Sequence, residues 1–473
     1  MPCAMMDAFR GGRKGCRGTE RMAMRMFARS AVAAALVALS GTNLPAQETP
    51  TIRFTDTTLP NGLRVIISED HAAPVYSISV HYKVGSKDER KGRTGFAHLF
   101  EHMMFKGSEN VGSGEHFMLV FTNGGTMNGT TNKDRTLYFE TLPANQLDLG
   151  IFLEADRMKS LEITKENLDN QRHAVQEERR LRLDNQPYGK TFELIGELAY
   201  DNDALAHSVI GSMEDLSAAS VEDVASFFKT YYAPNNAVVA IVGDVDTKTT
   251  LEKVSKAFGS IPRQPAPPQM DLTEPPQRAE RRQTVEDALA KLSQVDIVFK
   301  VPPRLTADDN AIQVLGAVLS SGRSSRLYQQ VVRAQQLSPN LFAGRDPTVA
   351  TGLFQISAPV APGKTADAVE KAILAEIEKL KTAPVEAWEM DKARANAKRA
   401  VVAGLTSSLQ RANQLAEFAA EFGNPALINQ RIDRITKVTA ADVQKAANTY
   451  FTAANRTVVI TVPKGAAPTG GAQ

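Results

Sequence analysis

Cysteine is almost missing from this chain of 473 residues. Its two cysteines, Cys3 and Cys16, both lie in the extreme N-terminal segment. Folds that are held together by disulfides need several pairs of cysteines, and zinc sites of the thiolate type need several in one place. A disulfide-held fold and a zinc site built from cysteines are therefore excluded for the body of the protein.

An excess of one charge is also missing. The chain has 55 Lys and Arg against 53 Asp and Glu, which gives a formal net charge of +2. Binding to nucleic acid through bulk electrostatics needs a strongly basic protein, so we expect no nucleic-acid partner. The 31 glycines and 24 prolines are too few for a collagen-like or wholly disordered chain, and 42% hydrophobic residues is typical of globular proteins.

A hydrophobic run long enough to cross a membrane is missing from the N-terminal segment. Arg25 and Arg29 precede a short apolar run at residues 31–39, and small residues follow as far as Ala46. The run is far shorter than the ~20 apolar residues of a membrane span, and its flanks are typical of a secretory signal peptide. We predict that residues 1–46 are removed after Ala46, and that the mature chain is periplasmic or secreted, without a membrane span.

A proline-rich segment divides the remaining sequence. Five prolines fall between Pro265 and Pro276, with charged neighbours and no hydrophobic periodicity. This composition is typical of an extended linker. We predict an N-terminal lobe at residues 51–262, a linker at residues 263–282 and a C-terminal lobe at residues 283–465.

The two predicted lobes resemble each other in sequence. The segment that begins at Val221 aligns without gaps with the segment that begins at Ala440. Both indicate a helix, a turn and a β-branched strand, and both lobes open with strand-like segments before their helices, such as those expected at 365–382 and 385–420. We predict an α+β fold of two duplicated lobes, each a mostly antiparallel sheet covered by helices, enclosing a cleft.

Residues 95–105, GFAHLFEHMMF, carry the clearest functional pattern. Their apolar residues recur with helical spacing, and His98, Glu101 and His102 lie together on the opposite side of that helix. Histidines four residues apart can point two imidazoles at one metal ion, and Glu101 would lie beside a water molecule at that ion. The pattern is H-x-x-E-H, the inverted zincin motif. A solvated polar helix face is the alternative.

A hydrolytic zinc site needs a third protein ligand, which must come from elsewhere. Residues 164–183 are predicted to be helical, with Leu168, Ala174, Val175 and Leu181 in the buried stripe. Glu178 falls inside that stripe, whereas Glu177 points toward solvent. A buried carboxylate needs a positive partner. Zinc is one such partner, and a salt bridge to Arg182 or Arg172 is the alternative.

The sequence resembles the pitrilysin (inverzincin) family of zinc metallopeptidases, in the branch of the mitochondrial processing peptidases and their short bacterial relatives. The resemblance extends over nearly the whole mature chain. It is carried by LPNGLRVI at 59–66, the H-x-x-E-H helix, RHAVQEERR at 172–180, YYAPNNAVVAIVGD at 231–244 and SGRSSRLYQQV at 321–331.

The resemblance implies a zinc endopeptidase with one Zn2+ per chain. His98, His102 and Glu178 correspond to the family's metal ligands, and Glu101 corresponds to its catalytic base. The family often has a second acid seven residues before the third ligand, where this chain has Gln171. When bound, zinc would activate a water molecule, whose proton Glu101 would take and later deliver to the leaving amine.

The resemblance also implies a substrate-binding segment at residues 124–143. Its end, TLYFETL, alternates like a strand, and an unfolded peptide can add to an exposed sheet edge through backbone hydrogen bonds. Asn128 and Gly129 match the family's substrate-contacting pair. An ordinary hairpin is the alternative.

One expected feature is incomplete. The family places an Arg and, seven residues later, a Tyr in the second half to hold the substrate carbonyl. Arg333 fits the first position, but the second is Asn340. We therefore expect a homologous second subunit without the zinc motif to complete the site, or else a homodimer. A non-catalytic scaffold or peptide-binding subunit and a metal-storage protein remain the alternatives.

Overall fold

The computed structural model describes residues 51–465. The predicted signal peptide, residues 1–46, lies outside the described residues. The first half of the described chain contributes a six-stranded sheet with the order β1-β2-β6-β3-β5-β4. Its strands are β1 (Thr55–Thr58), β2 (Arg64–Glu69), β3 (Val75–Tyr82), β4 (Thr126–Thr131), β5 (Thr136–Pro143) and β6 (Ala237–Gly243). Only the β2–β6 pairing is parallel.

The second half contributes a five-stranded sheet with the order β7-β11-β8-β10-β9. Its strands are β7 (Arg281–Asp287), β8 (Gln294–Val301), β9 (Phe342–Asp346), β10 (Gly352–Pro359) and β11 (Arg456–Pro463). Again one pairing, β7–β11, is parallel and the others are antiparallel. This order repeats the order β2-β6-β3-β5-β4 of the first sheet. The predicted duplicated α+β fold is therefore confirmed.

Helices follow the strands in both halves. In the first half they are α1 (Phe96–Met103), α2 (Glu115–Thr122), α3 (Leu147–Lys159), α4 (Lys165–Arg179), α5 (Gly189–Ala199), α6 (Asp203–Ala206), α7 (Met213–Ser217), α8 (Val221–Tyr231) and α9 (Thr247–Phe258). In the second half they are α10 (Ala307–Ser320), α11 (Ala366–Thr382), α12 (Ala387–Leu405), α13 (Ser408–Phe422), α14 (Arg431–Thr436) and α15 (Ala440–Tyr450). Across residues 51–465, none of these helices combines the length and the apolarity that a membrane crossing requires.

The stretch at residues 385–420 that was predicted to be helical is helical, with one interruption. The structure has two helices there, α12 and α13, separated at Thr406 and Ser407. The side chain of Ser407 accepts a hydrogen bond from the backbone N–H of Gln410, so Ser407 starts a new helix. Serine is a favoured residue at this capping position because its side chain satisfies a free N–H of the first turn.

Each half covers one face of the other half's sheet. The first sheet packs one face on helices of its own half, and α13 of the second half covers the other face. There Val238, Ala240 and Val242 of β6 meet Leu415 and Ala416. The reciprocal contact is made by α5 of the first half. Each half therefore contributes one helix that packs on the sheet of the other half, and neither sheet is covered on both faces by its own half alone.

The second sheet shows the reciprocal contact directly. Its outer face buries Val298, Leu353 and Val459 against Ile195 and Ala199 of α5. The residues between α9 and β7 contain no helix or strand. They contact both halves, because Gln264 pairs with Asn235 of the first half and Gln277 donates to the carbonyl oxygen of Arg456 in the second. A cavity of about 330 Å³ lies between the halves, with residues such as Lys133 from the first and Phe342 from the second in its lining.

Candidate active site

The predicted motif helix is α1, and its pattern decides which side is buried. Phe96, Leu99, Phe100 and Met103 are in the core of the first half. His98, Glu101 and His102 are on the other side and are half-buried. Hydrophobic burial of one stripe therefore fixes the rotation of the helix and presents all three polar side chains together.

The start of α1 is held by Glu89, which lies six residues before Gly95 and outside the motif. The carboxylate of Glu89 accepts hydrogen bonds from the backbone N–H groups of Gly95 at 2.8 Å and Ala97 at 2.7 Å. Free N–H groups at a helix N-terminus attract a negative charge. Gly95 has φ +85°, and a Cβ there would lie 2.5 Å from the carbonyl oxygen of Ile210, so this position requires glycine.

Helix α4 carries Glu178 and is anchored by two arginines. Arg172 donates to the carbonyl oxygens of Leu216 at 3.0 Å and Ala219 at 2.5 Å. Arg179 forms two hydrogen bonds to Glu193, at 2.6 and 2.7 Å, and a third to the carbonyl oxygen of Gly211. Because Glu178 is adjacent to Arg179, these contacts fix where its side chain lies.

The predicted buried stripe of α4 is partly wrong. Leu168 and Val175 are buried, but Ala174 is exposed and Leu181 is 57% exposed. The regular helix ends at Arg179, and a wider π-type turn follows at Arg180–Asp184. The angle of 100° per residue therefore no longer applies at Leu181. Gln171 is buried instead and continues the stripe.

Three side chains from α1 and α4 converge. The Oε2 atom of Glu178 lies 3.2 Å from Nε2 of His102 and 3.6 Å from Nε2 of His98. Donor atoms at the corners of a tetrahedron around zinc, each about 2.0–2.1 Å from the ion, would be about 3.3 Å apart. The residues present therefore fit the donor set and the spacing of a zinc site.

The salt bridge that competed with the metal interpretation is also present. Arg182 lies 2.7 Å from Oε1 of Glu178 and is itself 74% exposed. It contacts the carboxylate oxygen that does not face the histidines. The two interpretations are therefore compatible, because one oxygen meets the arginine and the other meets both imidazoles. Arg172, the other candidate partner, pairs with Asp169 instead.

The protonation states of this cluster suit metal binding. Burial lowers the pKa of His98 to about 4, and the neighbouring His102 acts in the same direction. A hydrogen bond from His102 holds the pKa of Glu178 below its ordinary value. Near neutral pH, His98 is therefore neutral and Glu178 is ionised, which are the forms that coordinate a cation.

Glu101 is beside this cluster and contacts strand β4. Burial raises the pKa of Glu101, while a hydrogen bond from the hydroxyl of Thr131 to its Oε2 atom, at 2.5 Å, acts against that shift. A Cβ on Gly129 would lie 3.0 Å from Cγ and 3.1 Å from Oε1 of Glu101. The arrangement can hold a cation next to a carboxylate that is free to exchange a proton.

Known protein families match both halves. The family described as "Insulinase (Peptidase family M16)" matches residues 64–212. The family described as "Peptidase M16 inactive domain" matches residues 218–397. Zinc protease PqqE of Helicobacter pylori is 31% identical over 409 residues, which are 86% of this chain and 92% of the relative. The chain belongs to peptidase family M16. The resemblance to the pitrilysin-type family is thus confirmed.

Solved structures and a eukaryotic relative agree with this membership. The structure of a protease from Helicobacter pylori is 31% identical, has a TM-score of 0.83, and is matched over 87% of this chain and 100% of its own. The first half of the periplasmic protease PqqL from Escherichia coli, at 18% identity and a TM-score of 0.71, shares the fold. A probable mitochondrial-processing peptidase subunit beta of Arabidopsis thaliana is 24% identical over 84% of this chain and 76% of its own.

The exposed sheet edge of this M16 chain differs from the strand that the sequence suggested. TLYFETL forms most of β5, which is an inner strand between β3 and β4. The edge strand is β4, which contains Asn128 and Gly129. Asn128 is exposed, whereas Gly129 is buried beneath Glu101. The structure therefore places the two residues differently relative to solvent.

Arg333 lies in the second half, in the π-type turn Tyr328–Ala334 that precedes β9. Its side chain is exposed, and within residues 51–465 it forms no ion pair with an acidic side chain. Asn340 is exposed as well, after the buried Leu337 and Ser338. Neither residue is in hydrogen-bond contact with the cluster of His98, His102 and Glu178 among the described residues.

Three residues that position this M16 site are not among the residues predicted from the sequence. Glu89 caps α1, Arg179 anchors α4 and Thr131 contacts Glu101. None of the three belongs to a periodic pattern. Thr131 is 30 residues from Glu101 and Arg179 is 32 residues from Gly211, whereas Glu89 lies only six residues before Gly95. The only sequence signal for Arg179 was its place next to the predicted ligand.

Proposed function

We propose that this chain is an exported zinc endopeptidase that hydrolyses peptides or unfolded polypeptides. The observation that carries the proposal is the convergence of His98, His102 and Glu178, from two helices, beside Glu101, whose carboxylate is not one of the three ligands. Relatives named zinc proteases support both the metal and the reaction class. When bound, zinc supplies Lewis-acid activation of a water molecule and of the scissile carbonyl.

Glu101 has the role of general base and then general acid. It takes a proton from the attacking water and returns it to the nitrogen of the leaving amine. Its raised pKa suits a group that must both accept and release a proton. His98, His102 and Glu178 hold the metal, and Arg182 neutralises the second oxygen of Glu178 without occupying the first.

The substrate binds in extended form along the edge strand β4. The unpaired edge offers backbone N–H and C=O groups, which can pair with any unfolded peptide regardless of its side chains. Asn128 is exposed on this strand, three positions before Thr131, whose hydroxyl contacts Glu101. The side-chain oxygen of Asn128 accepts a hydrogen bond from the N–H of Gly129 at 2.9 Å. The NH2 group of Asn128 donates to no residue within 51–465, so it can donate to the substrate.

A second subunit completes the site. Arg333 has no acidic partner within residues 51–465, and Asn340 stands where the family pattern has a tyrosine. Two relatives are named as beta subunits of a processing peptidase, which supports an assembly of different chains. The partner is a homologous chain without H-x-x-E-H that supplies the Arg–Tyr pair, and a homodimer would still lack the tyrosine.

Peptide cleavage by the zinc-loaded chain tests this function. The chain is assayed on a fluorogenic unfolded peptide, alone and with the product of a related gene that has the Arg–Tyr pair. We expect slow turnover alone and about 10²- to 10³-fold faster turnover with the partner, the usual effect of one preorganised donor. Glu101→Gln should keep zinc and lose cleavage, whereas Glu109→Gln, at an exposed residue paired with Lys159, should change neither.

Several outcomes would overturn the proposal. Cleavage that survives Glu101→Gln would remove the assigned base, and a chain that binds zinc and peptide but never cleaves, with or without a partner, would be a scaffold. Turnover that is unchanged by the partner and by Arg333→Ala would remove the two-chain site. Export is tested by mass spectrometry of the periplasmic protein, which should begin at Gln47. A chain retained in the cytosol with residues 1–46 would contradict it.

A further inference from the structure

The edge strand β4 makes two contacts with Glu101. Gly129 and Thr131 are two residues apart, so their Cα–Cβ directions point to the same face of the strand. On that face the side chain of Glu101 passes so close to Gly129 that a Cβ would lie 3.0 Å from Cγ and 3.3 Å from Cδ. Two positions further, the hydroxyl of Thr131 donates to Oε2. The proposed substrate strand is thus also the surface against which Glu101 packs.

The hydrogen bond from Thr131 has little competition. A threonine hydroxyl has one proton to donate, and its contact with Oε2 of Glu101 is 2.5 Å long. The next nearest partner is the hydroxyl of Thr136, at 3.4 Å, and that hydroxyl itself donates to the carbonyl oxygen of Val84 at 2.9 Å. Hydrogen bonds to ionised groups are short and strong, so the carboxylate has one preferred orientation.

We propose that Thr131 is a positioning residue, which holds Oε2 of Glu101 so that Oε1 alone exchanges the proton. No described residue donates a hydrogen bond to Oε1, which lies over Gly129. The inference deepens the proposed peptidase function and rests on it for its kinetic part. Thr131 does not touch the metal ligands or the substrate, because its side chain faces α1 and the peptide would pair with the backbone of β4.

Kinetics of matched variants test this role in the assembly that shows turnover. Thr131→Val removes the hydroxyl but keeps the shape, and we expect kcat to fall about 10- to 100-fold with KM unchanged, equivalent to ~1.4–2.7 kcal/mol. Thr131→Ser keeps a hydroxyl and should restore most of kcat. Thr58→Val removes an exposed hydroxyl from β1, the opposite edge of the same sheet, and should match the wild type.

If Thr131 only stabilised the structure, its replacement would also change the zinc content and the affinity for the peptide. Zinc content should be equal in all of these variants, and the affinity for the peptide should be equal in Glu101→Gln and in Glu101→Gln/Thr131→Val. Thr131→Val that keeps wild-type kcat, or that loses zinc or peptide affinity in proportion to kcat, would overturn the inference. If the wild type cleaves the peptide and Glu101→Gln does not, the proposed peptidase function holds. A negative result for Thr131→Val then counts against the positioning role alone.

Crystal structures give a readout that does not depend on activity. In the wild type and in Thr131→Ser, Glu101 should occupy one rotamer with Oε2 on the hydroxyl. In Thr131→Val it should leave that rotamer or divide between several. An unchanged, singly occupied rotamer in Thr131→Val would overturn the inference even for a chain that cleaves no peptide.

Discussion

Replacing Glu178 by glutamine should remove the third metal ligand while keeping the size of the side chain. The amide has one oxygen and one NH2 group, and Arg182, which only donates hydrogen bonds, lies 2.7 Å from the present Oε1 position. The amide oxygen should therefore turn to Arg182, and the NH2 group should face His98 and His102. A hydrogen-bond donor then replaces the ligand that now lies 3.2 and 3.6 Å from the two imidazoles.

The expected loss is large. Removing even a residue that only supports a metal ligand costs 10- to 100-fold in affinity, so losing a ligand should cost about 100-fold or more. That loss corresponds to ~2.7 kcal/mol of binding free energy or more. Glu177→Gln makes the same charge change one residue away. Its side chain is 56% exposed and paired with Arg180 at 3.0 Å, and exposed pairs contribute at most about 1 kcal/mol to stability.

Zinc affinity is measured by competition with a chelator of known affinity, together with metal content and thermal unfolding. We expect Glu178→Gln to lose zinc and Glu177→Gln to match the wild type, with both folded. Glu178→Gln/Arg182→Ala should recover part of the affinity, because the amide oxygen can then turn back to the metal. Equal zinc affinity in Glu178→Gln and the wild type, or a loss in Glu177→Gln instead, would refute the assignment.

Two further predictions concern buried carboxylates outside the metal cluster. Burial raises the pKa of Glu140 to about 7, above the ~4.3 of an unfolded chain, so ionising it costs stability as the pH rises from about 4.3 to 7. The free energy of unfolding of Glu140→Gln, relative to that of the wild type, should therefore increase by on the order of 3 kcal/mol from pH 4 to pH 8, as measured by urea unfolding. A difference between the two proteins that does not change with pH would contradict this. Glu89→Ala leaves the N–H groups of Gly95 and Ala97 without their partner. It should lower the free energy of unfolding by about 2–4 kcal/mol and weaken zinc binding, and unchanged values of both would remove its role as the cap of α1.

Because each half covers the sheet of the other with a helix, the two halves should not be stable when they are separated. The face of the first sheet that carries Val238 and Ala240 is buried by α13, and the second sheet is covered by α5 in the same way. The lobes predicted at residues 51–262 and 283–465 would each expose such a face if separated. A large exposed apolar face favours association, so we expect the halves to be stable only together.

Much of the site followed from local sequence pattern. The hydrophobic spacing of residues 96–103 fixed a helix and its buried side, and hence the grouping of His98, Glu101 and His102. The helical spacing predicted Glu178 inside the buried stripe of α4, and the structure has it half-buried. Ala174 and Leu181, predicted in the same stripe, are exposed. The duplicated strand and helix segments predicted the fold class, because each alternation reflects burial against one sheet or helix face.

The remaining features depend on which distant segments meet. The strand order places β4, not β5, at the edge of the sheet. Residues 210–211 pass so close to residues 94–95 at the start of α1 that there is no space for a side chain at Gly95 or at Gly211. The anchor by Arg179 on Gly211 and the contact between Thr131 and Glu101 join residues 32 and 30 positions apart. The cap by Glu89, six residues before Gly95, depends on how the intervening residues fold back toward α1. Periodicity describes how one element faces the core, and it holds no information about which polar group of another element will lie opposite. The sequence by itself therefore determined the fold class, the motif helix and the candidate ligands, whereas only the tertiary structure decided how those ligands and the base are held in place.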